Sequence, residues 1–146
     1  MKKFKFSMEK ILNLREFEQK QAEIELGKAN AKVSQIQNLL NEIAKNKILA
    51  TQENDSQSSD FLAKSKSQIY LNFLEQKKEE YLKQLVEAQM IAEQKREIVK
   101  QAMQKVKVLQ KLQESKRLQW KKEIEKEEEL NNEDISTSLF AYKTEP

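Results

Sequence analysis

The sequence predicts an all-α protein: a long antiparallel two-helix coiled coil, a helical hairpin whose second helix is longer than its first. Three observations predict it. The 146 residues include one Gly and one Pro, the Pro being last, and 35% are charged. Turns draw on Gly, Pro, Asn and Asp for their backbone angles, so a chain this poor in Gly and Pro makes few of them. Apolar residues also recur by alternating threes and fours, the spacing of a helix whose narrow seam faces another helix. Finally, only one stretch before residue 131 reads as a break, and one break between two long amphipathic segments gives a hairpin.

The first helix is predicted over residues 4–50. Its seam is clearest at Ala22, Leu26, Ala29, Val33, Ile36, Leu40 and Ile43. Carried backwards, the same frame meets Gln19, Arg15, Leu12 and Met8, while Ile11, Leu14, Phe17 and Ile24 form a second apolar edge. Together the two edges are wider than one partner helix needs. Ser7 stands where an N-cap is expected, although a capping box would have Glu or Gln in place of Lys10. Gly27 falls mid-helix, either on an open surface or where another backbone comes close.

The break spans 51–60. Seven of its ten residues are Ser, Thr, Asn or Asp, which compete for backbone hydrogen bonds, and Ser59 or Asp60 is placed to cap the second helix. That helix is predicted over 61–130. Its seam runs through Leu71, Leu74, Lys78, Tyr81, Leu85, Ala88, Ala92, Lys95, Val99, Ala102, Val106, Leu109, Gln113, Lys116 and Trp120. With the turn near residue 56, a residue faces the one whose number brings the pair to about 112. Residues 107–130 then overhang the first helix with an apolar edge and no partner. Residues 1–130 read as one coiled-coil hairpin, and residues 131–146 as an acidic, disordered tail.

The net charge of +3 hides an asymmetry. Residues 95–126 carry eleven Lys and Arg against four Glu, and the last twenty residues are acidic. A basic block suggests nucleic acid, but no zinc-finger spacing, basic-zipper fork or base-stacking aromatic pair accompanies it. Without His or Cys no usual nucleophile–base pair is available, and with one Gly no phosphate-cradling loop. The expectation is no enzyme, no cofactor, no metal, no small-molecule ligand and no nucleic acid. No apolar run approaches the roughly 20 residues that span a bilayer, so a cytoplasmic protein is expected. The residues point to a helical interaction protein, a generic scaffold or chaperone-like coiled coil among the alternatives.

The run from Phe4 to Leu26 resembles the opening of the flagellar FliJ family. The matching residues are Phe6, Ile11, Leu12, Leu14, Arg15, Glu16, Glu18, Ala22 and Leu26. Length, the single break and the longer second helix agree. The family's acidic close to the second helix is matched loosely by Glu127-Glu128-Glu129-Leu130-Asn131-Asn132-Glu133-Asp134, with Asn where acid is expected. The resemblance implies a stalk-like component of the flagellar type III export apparatus, with an injectisome stalk protein as the nearest variant. It implies that the chain inserts into the hexameric ring of the export ATPase FliI, promotes its assembly and activity, and touches the export gate protein FlhA. Export chaperones are further expected partners, and the gate would hold the protein at the cytoplasmic face of the inner membrane. Joined to the residue pattern, it assigns ring contact to Ile11, Leu14, Arg15, Phe17, Lys20, Lys111, Arg117, Leu118, Trp120 and Lys121. Leu39, Tyr70 and Phe73 are assigned to the gate.

Overall fold

The computed structural model describes residues 3–56 and 60–144. They form two helices, α1 (Glu9–Ser56) and α2 (Phe61–Thr144), which pack against each other, the second longer than the first. There is no strand among the described residues. The all-α hairpin is therefore present, with different element ends. The chain divides into two units, one of residues 19–101 and one of residues 1–18 with 102–146.

In the unit of 19–101 the 3-4 seam is the core. Ile36, Ile43 and Ala50 are buried on α1, with Ala22, Leu26, Ala29, Val33 and Leu40 half-buried between and before them. From α2, Leu74, Ala88, Ala92 and Val99 are buried, with Leu71, Lys78, Tyr81, Leu85 and Lys95 half-buried. Ile36 is 2% exposed and the most enclosed large side chain. A groove of about 340 Å³ lies between the helices, lined by Ala29, Lys32 and Ile36 on α1 and by Gln84, Ala88 and Ile91 on α2. At the turn end of this unit Lys47 donates to Glu75 at 3.0 Å across the two helices. That hydrogen bond and the charges of Lys47 and Lys78 hold the Glu75 carboxyl below its ordinary value.

The pairing of residue 47 with residue 75 corrects the expected register by roughly ten residues, and the cause lies in the break. Residues 51–56 stay helical, and two of their hydroxyls bond backwards along the helix. Thr51 Oγ1 donates to the Lys47 carbonyl at 2.7 Å and Ser56 Oγ to the Glu53 carbonyl at 2.9 Å. The same side chains that signal a turn thus prolong α1 past the expected end at 50. Asp60 then caps α2: its Oδ1 accepts from the Leu62 and Ala63 amides at 3.1 and 3.5 Å. The rest of the expected turn, 57–59 with the alternative cap Ser59, lies outside the described residues.

In the other unit α1 begins at Glu9 instead of residue 4. Residues 3–8 form a non-helical arm along α2. Met8, not Ser7, occupies the capping position, its carbonyl accepting from the Leu12 amide at 2.9 Å, and Glu9 donates to the Phe6 carbonyl at 3.2 Å. Phe6, Leu12, Val106 and Leu109 make one buried cluster with Phe4 and Met8 packed on it. Phe4 and Phe6 bury their rings in this way, which a helix continued back to residue 4 would have to place on its own surface.

The expected disordered tail is helical to Thr144, with residues 145–146 outside the description. No Gly or Pro interrupts residues 61–144. Once a helix is nucleated, extending it through Asn, Asp or Thr costs only about 0.5 kcal/mol per residue relative to Ala. Thr137 Oγ1 also bonds back to the Glu133 carbonyl at 2.8 Å.

Candidate functional site

The unit of residues 1–18 and 102–146 carries most of the expected ring-contact residues, in a changed setting. Part of the expected overhang at residues 107–130 has a partner: the arm lies along α2 as far as Glu123. Leu109 is 8% exposed against Leu12 and Phe6. The Phe4 ring lies 5.9 Å from that of Trp120, tilted by 53°. The Arg117 guanidinium stands 5.8 Å from the centre of the Phe4 ring on its way to solvent. Trp120 is therefore half-buried by its own chain.

Between arm and helix lies an open groove of about 420 Å³, lined by Lys3, Phe4, Lys5, Phe6, Ser7, Lys116, Gln119, Trp120 and Glu123. Three cations and one carboxylate surround an aromatic floor. The remaining assigned residues divide by exposure. Lys111, Leu118 and Lys121 are exposed on α2, and Ile11, Leu14 and Phe17 are exposed on α1. Arg15 is half-buried and paired with Glu18 at 2.9 Å. Lys20 belongs to the other unit. The residues sequence reasoning missed are Phe4, Phe6 and the two arm lysines. Their available signal was an aromatic pair one residue apart, just outside the first helical turn.

The second assigned surface sits in the unit of 19–101. Tyr70 and Phe73 are 43% and 50% exposed, beside exposed Leu62 and Ile69. Leu62, Ile69 and Phe73 are spaced by seven and four, which puts them on one stripe of α2. Lys77 stands 5.9 Å from the Phe73 ring centre. Leu39 does not join them. It lies eight residues before Lys47, whose partner is Glu75, so its counterpart on α2 is near residue 83, more than two helical turns from Tyr70.

Among the described residues no group of acidic side chains converges as metal ligands would, and no helix is long and apolar enough to cross a membrane. The described residues thus form two packed helices that carry a basic aromatic groove in one unit and an exposed apolar stripe in the other. A family model described as "Flagellar FliJ protein" matches residues 4–145. The chain belongs to the FliJ family and is a component of the flagellar export apparatus. No curated protein and no solved structure matches it.

Proposed function

We propose that this chain is the stalk-like element of the export apparatus, entering the hexameric ring of the export ATPase FliI and linking it to the export gate FlhA. The ring-facing part in this reading is the unit of residues 1–18 and 102–146. One observation supports it above the others. The arm is clasped to α2 through Phe4, Trp120 and Arg117, which gives the arm and this stretch of α2 one preorganised, basic surface. A stalk that must meet six equivalent ring loops benefits from such preorganisation, because little conformational entropy is lost on entry. Lys111, Arg117 and Lys121 would steer the approach, with Ile11, Leu14, Phe17 and Leu118 packing on the ring. The gate-facing surface is the stripe bearing Tyr70 and Phe73. Binding at the gate would hold the protein at the inner face of the membrane, where export chaperones deliver their cargo.

The test is stimulation of FliI ATPase activity by the purified protein. The wild-type chain should raise turnover. The pair Arg117→Glu and Lys121→Glu should lose most of that effect while keeping its helical circular dichroism. Full stimulation by the folded double variant would refute the ring contact.

A further inference from the structure

α2 carries its charge in two blocks of opposite sign, in sequence. Residues 95–126 are strongly basic, and residues 127–134 hold Glu127, Glu128, Glu129, Glu133 and Asp134 with no Lys or Arg. Both blocks lie on one uninterrupted helix. The acidic stretch therefore runs away from the arm groove along the helix axis and cannot fold back to fill it. Yet each block lacks what the other offers. The groove presents Lys3, Lys5 and Lys116 around Phe4 and Trp120. Elsewhere on the basic block, Val108 and Leu118 are exposed. The acidic end presents Ile135, Leu139 and Tyr142, all more than half exposed and spaced by four and three on a single face.

We propose that a second copy of this chain is the occupant. Two α2 C-terminal halves lie side by side and antiparallel, so that the acidic end of each covers the arm groove and basic block of the other. The order of the charges dictates the orientation. A parallel pair would set basic block on basic block and acid on acid, whereas the antiparallel pair matches opposite charges twice. It is also the isologous two-fold arrangement that most homodimers adopt. With the dyad near residue 124, Glu133 and Asp134 lie at the level of Lys116 of the other copy. Each molecule contributes about 35 residues of helix, on the order of 50 Å of contact length, which suffices for an interface of standard size. The interface covers part of the surface assigned to the ring, so the dimer is the free form of the chain and must open for ring entry; its test uses no ATPase.

Sedimentation equilibrium of the full chain at tens of micromolar and low salt should give twice the 17.3 kDa chain mass. Raising the salt should weaken association several-fold, because the complementarity is electrostatic. The variant Glu133→Lys with Asp134→Lys should be monomeric. So should Lys116→Glu with Lys121→Glu, and mixing the two should restore a dimer in which one acidic–basic pairing is intact. The chain has no cysteine, so Glu125→Cys alone should cross-link to itself across the dyad on oxidation. A chain that stays at the monomer mass at every concentration overturns the proposal. A Glu133→Lys, Asp134→Lys variant that dimerises as well as wild type overturns it equally.

Discussion

At Gly27 the structure separates two readings that the sequence left open. A Cβ built there meets nothing within 4 Å, and the residue is exposed in the middle of α1. No neighbouring backbone requires the glycine, and its φ is not positive. What remains is the entropic cost of a glycine in a helix. Gly27→Ala should therefore raise stability by about 0.5–1 kcal/mol, read as a higher urea midpoint with an unchanged slope. A loss of stability would mean that the site is closer to another backbone than the geometry allows. Residue by residue, the seam was the most legible feature. Leu12, Ile36 and Ile43 on α1 are buried as the repeat demands, as are Leu74, Ala88, Val99 and Leu109 on α2. Even the polar Arg15 and Gln19 are half-buried in the weak N-terminal frame. Of the α2 seam only Lys116 is fully exposed, and it faces the arm groove. Periodicity reports the buried face well because a helix that must bury a stripe has only one way to present it.

Element ends were much less legible, because the side chains that form turns also bond within helices. Thr51 and Ser56 are the clearest case, since each hydroxyl satisfies a carbonyl of α1 and carries the helix onward. The resulting shift of the turn moves the register within the unit of 19–101. The arm's hold is modest: two backbone bonds, from Glu9 to Phe6 and from Leu12 to Met8, the buried Phe6 ring at 7% exposure, and Phe4 near both Trp120 and Arg117. Trp120 is the only tryptophan, so its emission reports the arm alone. Phe4→Ala should red-shift that emission and raise its quenching by acrylamide several-fold, with helicity preserved. Trypsin should then cut at Lys5 faster, since local opening governs proteolysis of such segments. Unchanged emission from Phe4→Ala would place the ring contact outside solution behaviour.

For the molecule as a whole, the two surfaces belong to different units, and the proposed roles should be separable by mutation. Neither Tyr70 nor Phe73 belongs to the seam. Truncating them removes exposed apolar area without opening a cavity, so stability should change by no more than about 0.5 kcal/mol. Tyr70→Ala with Phe73→Ala should thus keep its circular dichroism and its full stimulation of FliI, yet lose capture by the cytoplasmic domain of FlhA. Aromatic anchors of this kind typically carry about 2 kcal/mol or more each at an interface, so the loss should exceed tenfold in affinity. Leu39→Ala is the internal control. The sequence grouped Leu39 with the two aromatics, but the Lys47–Glu75 pairing sets it more than two helical turns away. Leu39→Ala should leave gate capture within a factor of two of wild type. Equal loss from Leu39→Ala would show that the gate reads a longer stretch of the hairpin than the aromatic stripe. Normal capture by the double aromatic variant would move the gate contact off this surface altogether.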